Sequence, residues 1–203
     1  MILVYLTQIL AFAIAITVHE SSHGWMADKF GDKTARAMGR ITLNPIAHID
    51  PIGTVILPLL LILTRSPCIF GWAKPVPVNP YNLRNPRKDM LWIGLAGPAA
   101  NIITAIIFSF ILRSGLIIPN SLANTFIVQV ILINLVLAIF NLIPIPPLDG
   151  YQILSGLLPR ETAISYSRIE PYGMWILLAL LFLGVIGGII GLGVGILFKI
   201  LVG

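Results

Sequence analysis

Charged residues are scarce in this chain, and their scarcity excludes an ordinary soluble domain. Lysine, arginine, aspartate and glutamate make up 10% of the 203 residues, whereas a soluble domain carries about 25%. Hydrophobic residues make up 57% of the chain, and they fall in long runs. The composition therefore predicts a membrane protein that has the lipid bilayer as its solvent.

Cysteine is almost absent, because Cys68 is the single one. One cysteine cannot form an intrachain disulfide and cannot supply a cysteine-rich zinc site, so any metal must be bound by histidine, aspartate or glutamate. The formal net charge is +5, but the basic residues lie between apolar runs, and no basic helix carries interleaved aromatic residues. We therefore expect no nucleic-acid partner.

Five apolar segments organise the chain: residues 2–26, 52–63, about 90–112, about 125–143 and 172–202. The first lacks the features of a cleaved signal peptide, so we expect a retained transmembrane helix. The second is short and contains Pro58, which favours a broken span or a re-entrant piece. The last is longer than one span needs, so we expect one tilted or kinked helix. These segments predict an all-α polytopic membrane protein with about four to six transmembrane or re-entrant helices, and residues 1–203 as a single domain.

The connection at residues 70–80 differs from the apolar runs. Three prolines fall within six residues of it, which forbids a helix, and Val76 and Val78 favour an extended backbone. Basic residues follow both the first and the second segment. The positive-inside rule therefore selects an orientation only if the second segment fails to cross, which would place both basic stretches on one side.

The first apolar run ends in the HExxH sequence His19-Glu20-Ser21-Ser22-His23. Residues four apart lie on one helix face, so both imidazoles can reach one metal ion. Glu20 is angled to the side, where it can act as general base on a metal-bound water. Ionisable residues inside a membrane segment indicate function. The simpler interpretation is that these side chains lie at the helix end and meet water.

A catalytic zinc takes three protein ligands and keeps one position open. The remaining candidates for the third ligand are His48, Asp50, Asp149, Glu161 and Glu170. We favour Asp149, because it follows a proline-broken segment end, and non-helical chain at membrane depth is tolerated where it lines a cavity. An exposed Asp-Gly turn is the alternative. The favoured set is Zn²⁺ bound by His19, His23 and Asp149.

Amides also occur inside the apolar segments. Asn134 and Asn141 are seven residues apart, on nearly the same helix face, and Asn101 lies within the third segment. Lipid would penalise these groups, so we expect them to face the protein interior. For Asn101 and Asn134, hydrogen bonding between helices and a part in catalysis both stay open.

Three features together resemble the site-2 protease family of intramembrane zinc metalloproteases, peptidase family M50. They are HExxH in an apolar helix, the stretch from Gly94 to Asn101, and the Asn-x-x-Pro-x-x-x-Leu-Asp-Gly sequence that ends at Gly150. The resemblance is to a short form without a PDZ-like domain, and it covers about residues 10–155. It implies that His19, His23 and Asp149 are the zinc ligands and that Glu20 is the general base. It also implies that Asn141 orients the substrate or the oxyanion, and that residues 70–80 form a small membrane-associated β-hairpin.

The predicted function is hydrolysis of peptide bonds in single-span membrane proteins or peptides by a multi-pass integral protein, in the cell membrane of a prokaryote. A zinc or cation transporter could use the same histidines and carboxylate, but it needs no general base. A third possibility is a catalytically inactive membrane scaffold, which would bind no metal. A complete ligand set together with Glu20 favours the protease.

Overall fold

The computed structural model describes residues 2–64 and 71–203, and the regular elements in these ranges are helical. The α-helices are α1 (Ile2–Lys29), α2 (Thr34–Ala37), α3 (Leu57–Leu63), α4 (Pro86–Arg113), α5 (Leu122–Asn141), α6 (Asp149–Leu157), α7 (Arg160–Ser167), α8 (Gly173–Phe182) and α9 (Val185–Val202). Four of them, α1, α4, α5 and α9, are long and apolar enough to cross a membrane. The prediction of an all-α polytopic membrane protein is therefore confirmed.

Helices α1, α4 and α5 form the centre of the molecule, where each contacts the other two. Small buried side chains line their contacts: Ala11, Ala15, Ala96, Ala105 and Ala138. Lipid is as apolar as leucine, so helices in a bilayer associate by close van der Waals contact, which small residues permit. Helix α9 packs against α5, and α6 packs against the N-terminal part of α4.

The second apolar segment divides into a π-helical turn, Pro51–Ile56, and the short helix α3. The side chain of Asp50 caps the turn by accepting hydrogen bonds from the N–H groups of Ile52 and Gly53. These two stretches of 6 and 7 residues have a combined helical length of about 20 Å, against a hydrocarbon core of about 30 Å. Their length favours the re-entrant interpretation.

The last apolar segment is two helices rather than one tilted or kinked helix. Helix α8 ends at Phe182 and α9 begins at Val185. Between them Gly184 has a φ of 75°, a left-handed conformation that glycine adopts at no steric cost and that ends a helix.

Residues 71–80, which we call the proline segment, have no regular secondary structure up to Asn79, and they do not form the predicted β-hairpin. No strand occurs in the described part of the chain, from which Phe70 is left out. A strand ladder needs free N–H groups. Pro75 and Pro77 have none, and the Lys74 N–H donates to the carbonyl oxygen of His48 at 3.0 Å. The segment is therefore held by loop contacts instead of strand pairing.

Asp32 ties the C-terminal end of the proline segment to the end of α1. Its side chain is fully buried and accepts hydrogen bonds from the Asn79 N–H at 2.6 Å, the Asn82 side-chain amide at 2.9 Å and the Thr34 N–H at 3.1 Å. Burial by itself raises the pKa of the Asp32 carboxyl, but the hydrogen bonds outweigh burial and hold the pKa below its usual range.

Replacement of Asp32 with asparagine is expected to lower the free energy of unfolding by about 2–3 kcal/mol, because an amide nitrogen would face buried donors. The lowered pKa means that this stabilisation is complete above the unfolded-state pKa of about 4 and is lost as the pH falls through the folded-state value. Asp32→Asn should therefore remove part of the acid sensitivity as well. Thermal unfolding of the detergent-solubilised protein across this pH range measures both effects.

The control for this variant is Glu161→Gln. Glu161 lies at an exposed position of α7, where a substitution usually changes the free energy of unfolding by less than about 0.5 kcal/mol. Equal destabilisation by the two variants would contradict the anchoring role of Asp32.

Candidate metal centre

Helix α1 presents two imidazoles to the interior on one face. His19 and His23 are both buried, and their Nε2 atoms lie 3.0 Å apart. The spacing of four residues in a helix produces this convergence, as the sequence predicted.

The carboxylate of Asp149 approaches the same point from a different element. Helix α5 ends at Asn141, the proline-rich chain turns back, and Asp149 is the first residue of α6. Its Oδ2 atom lies 3.1 Å from His19 Nε2 and 3.3 Å from His23 Nε2. The structure thus brings together the three side chains that the sequence predicted as ligands, although 126 residues separate His23 from Asp149.

The three atoms are spaced as a metal requires. Zinc bonds of about 2.0–2.2 Å in a tetrahedral site place neighbouring ligand atoms about 3.3–3.6 Å apart, and the observed separations of 3.0, 3.1 and 3.3 Å are equal to the lower limit or a few tenths of an ångström below it. In addition, Asp149 Oδ2 is buried and has no hydrogen-bond donor among the described residues. A buried carboxylate oxygen without a donor is costly, so the donor set fits a bound cation.

The imidazole of His19 is oriented by an amide on α4. Its Nδ1 lies 2.6 Å from Asn101 Oδ1, and the Asn101 amide nitrogen donates to the Ala15 carbonyl at 3.0 Å and to Asn134 Oδ1 at 2.8 Å. These two acceptors determine which end of the Asn101 amide faces His19. His19 Nδ1 therefore donates this hydrogen bond, and Nε2 is the ring nitrogen left to bind a metal.

His23 is oriented in the same way by a backbone group. Its Nδ1 lies 2.7 Å from the carbonyl oxygen of Ile93, an acceptor only, so Nδ1 donates and Nε2 is again the ring nitrogen left to bind a metal. Gly97 lets α4 approach the two rings closely: a Cβ atom there would lie 2.5 Å from His23 Nε2 and 2.7 Å from His19 Cε1. Helix α4 thus positions both imidazoles.

Glu20 lies beside the histidines and outside the set of three. Its side chain is half-buried, and its Oε2 accepts a hydrogen bond from the Val76 N–H at 2.8 Å. Among the described residues, the group with metal-ligand spacing is His19, His23 and Asp149. Glu20 therefore follows His19 in the helix and lies outside this group of three.

The other residues that the sequence offered as candidates form hydrogen bonds with groups outside the set of three. His48 is buried, with Nε2 3.0 Å from the Thr42 carbonyl oxygen, Asp50 caps a helical turn, and Glu170 accepts a hydrogen bond from the Tyr151 hydroxyl. Asn141 is the last residue of α5, and its amide nitrogen donates to the Leu137 carbonyl at 3.0 Å.

The sequence left the role of Asn101 open, between helix packing and catalysis, and gave no sign that the Val76 amide contacts Glu20. An amide inside an apolar segment was the available signal for Asn101. For Val76 there was no signal in the side chain, because the contact is made by the backbone.

Comparison with known proteins connects this geometry to a family. The sequence model of peptidase family M50 matches residues 7–119 and 114–184. A protein of Bacillus subtilis, named "Putative zinc metalloprotease YwhC", is 39% identical over 85% of this chain and 78% of its own length. "Putative zinc metalloprotease Rip2" of Mycolicibacterium smegmatis is 28% identical over 88% of this chain and 67% of its own length. Among solved structures, none matches the chain with significance.

Replacement of Asn101 with alanine is expected to weaken zinc binding by about 10- to 100-fold, the usual effect of removing the partner that orients a ligating histidine. Competition of the purified protein with a chromophoric chelator measures this change. Ser109→Ala is the matched control, because Ser109 is also a buried polar residue of α4 but hydrogen-bonds its own helix at Ile106. Unchanged zinc affinity in Asn101→Ala would show that the amide holds helices together and nothing more.

Proposed function

The chain belongs to peptidase family M50, and from this premise we propose that residues 1–203 form one membrane-embedded protease domain whose zinc is held by His19, His23 and Asp149. The protein is a multi-pass integral membrane protein and an intramembrane zinc metalloprotease. The observation that supports the ligand assignment is the convergence of two Nε2 atoms and one carboxylate oxygen within 3.3 Å.

In the proposed reaction, the metal and the side chains around it have separate chemical roles. Zinc held by His19, His23 and Asp149 would supply Lewis-acid activation of a water molecule and of the scissile carbonyl. Glu20 accepts the proton from the attacking water and returns it to the leaving amine. Asn101 and the Ile93 carbonyl hold the two imidazoles in the orientation that leaves Nε2 toward the metal.

Asn141 is proposed to donate a hydrogen bond to the carbonyl oxygen of the substrate. Its amide contacts the Leu137 carbonyl, so this role requires a rotation of the side chain when substrate enters. Its place at the end of α5, eight residues before Asp149, supports the assignment.

The substrate class we propose is a single-span membrane protein or membrane peptide. A helical substrate must be unwound locally, because its carbonyl groups are otherwise hydrogen-bonded within the helix. The proline segment lacks regular secondary structure and lies beside Glu20, so it can hold the unwound chain by edge pairing. Its N–H groups at Lys74, Val76 and Asn79 are already engaged, and so are the carbonyl groups of Lys74 and Pro75. Pairing would therefore use the carbonyl groups that follow Pro75 as acceptors.

The orientation we propose places the metal centre near the cytoplasmic face. Helices α1 and α5 end, and α4 begins, at the end of the molecule that carries the site. In the described residues, the lysines and arginines at that end are Lys29, Lys33, Arg36, Arg40, Lys74, Arg84, Arg87, Lys88, Arg160 and Arg168. The opposite end has Arg113, which donates to the Leu201 carbonyl, and Lys199. Cytoplasmic loops carry the excess of basic residues.

Glu20→Gln is expected to lower kcat for a single-span reporter by about 10²–10⁴-fold, the range that a general base contributes, while zinc stays bound. Glutamine keeps the size of the side chain but cannot accept the proton. Cleavage rate and zinc content, measured on the same preparation, check this. The matched control is Glu161→Gln on α7, an exposed position. Wild-type cleavage by a zinc-loaded Glu20→Gln protein would refute the assignment of Glu20 as the general base.

The orientation is tested by cysteine labelling in a Cys68→Ser background. A membrane-impermeant maleimide added to intact cells should label Leu116→Cys, in the loop between α4 and α5, and should leave Lys33→Cys unlabelled until the cells are permeabilised. Both positions are exposed. Labelling in the reverse order would invert the proposed topology.

A further inference from the structure

The backbone N–H of Val76 reaches the carboxylate of Glu20 from a segment 56 residues away. From this contact we infer that Val76 is a positioning residue for the reaction: its amide holds Glu20 Oε2 and leaves Oε1 to accept the proton of the attacking water. The inference rests on the proposed role of Glu20 as general base. It concerns a backbone group, which no side-chain pattern records.

The prolines on either side make the Val76 amide the one donor that this stretch can offer. Pro75 and Pro77 have no N–H, so a shift of the segment by one residue in either direction would present a proline ring to Glu20 instead of a donor. The alternation therefore restricts both the position and the identity of the donor. A flexible glutamate side chain is thereby held in one arrangement before substrate arrives.

The side chain of Val76 also supports the contact between its N–H and Glu20, because it packs against α1. Val76 is buried, and its Cγ1 lies 3.0 Å from the place where a Cβ atom on Gly24 would stand. Gly24 is four residues after Glu20, on the same face of α1. The lack of a side chain at residue 24 allows Val76 to lie close to the helix, at the height where its N–H meets Glu20.

Two further contacts hold the segment on either side of Val76. The buried guanidinium of Arg40 donates to the Lys74 carbonyl at 2.7 Å and to the Pro75 carbonyl at 3.3 Å. At the other end the Asn79 N–H donates to the buried carboxylate of Asp32. Because both flanks are tied to the polypeptide around the end of α1, the Val76 amide is a prearranged donor, and it does not need to be ordered by substrate.

An ester in place of the amide between Pro75 and Val76 tests this directly. Incorporation of the α-hydroxy analogue of valine at residue 76, by nonsense suppression, keeps the side chain and removes the N–H. With a single-span reporter, kcat should fall by at least about tenfold and by less than the about 10²–10⁴-fold expected for Glu20→Gln. Zinc content and KM should stay as in wild type. The matched control is the same ester at Val185, an exposed position at the first residue of α9, where a helix amide has no intrahelical partner.

A second readout does not depend on turnover. In zinc-free protein, the infrared carboxylate bands that disappear in Glu20→Gln belong to Glu20, and they should shift in the Val76 ester and stay in place in the Val185 ester. Conservative Val76→Ile, which keeps the N–H, should retain the wild-type band position.

The outcomes separate this inference from the proposed function. If Glu20→Gln cleaves at the wild-type rate, the general-base assignment fails, and the inference fails with it. If Glu20→Gln is inactive but the Val76 ester matches wild type in kcat and band position, the positioning role alone is wrong. A rise in kcat in the ester would also overturn it, because the amide would then restrain Glu20 rather than prepare it.

Discussion

Two buried imidazoles within a membrane helix determine how the neighbouring helices pack. Each ring has one nitrogen that donates, and lipid supplies no acceptor. The acceptors come from α4, as the side chain of Asn101 and the carbonyl of Ile93. Once these bonds are made, both Nε2 atoms point to one place, where a cation is needed to make the burial of Asp149 favourable. The metal centre and the packing of α1 on α4 are therefore one arrangement.

The same constraint explains why glycine stands at residue 97. Helix α4 must come close enough for Asn101 and Ile93 to reach the rings, and any Cβ atom at 97 would collide with them. Asn134 on α5 accepts from Asn101 in turn, so the three central helices meet at a chain of hydrogen bonds behind the ligands. In a bilayer, where apolar contact gives little preference for one packing over another, such a chain specifies how the helices are arranged.

The proline segment supplies the other side of the site. It is a loop in which four N–H groups donate to four separate acceptors, which belong to Gly53, His48, Glu20 and Asp32. The prediction of a β-hairpin failed here because proline removes ladder donors, and the remaining donors bond to side-chain and loop acceptors that lie closer. A segment held in this way can contact Glu20 without the pairing partner that a strand requires.

Much of the site could be read from local pattern. The spacing of four residues between His19 and His23 places two rings on one helix face in any α-helix, and the prolines before Asp149 end α5 wherever that helix lies. The length of the apolar runs likewise determines a polytopic membrane protein, since α1, α4, α5 and α9 follow from hydropathy alone. The interruption between α8 and α9 at Gly184 was harder to predict from the sequence, because a glycine-rich apolar run is compatible with either a kinked helix or two separate helices.

Periodicity and the cost of burying charge in lipid specify the class of protein, most of its long helices and the residue types of a zinc site. The packing of the helices adds three contacts: Asp149 lies 3.1 Å from His19, Asn101 Oδ1 lies 2.6 Å from His19 Nδ1, and the Val76 amide reaches Glu20. These contacts join segments far apart in the chain, and the last is made by a backbone group that every residue except proline carries. No local pattern can specify such a contact, because its partner is chosen by how the helices pack.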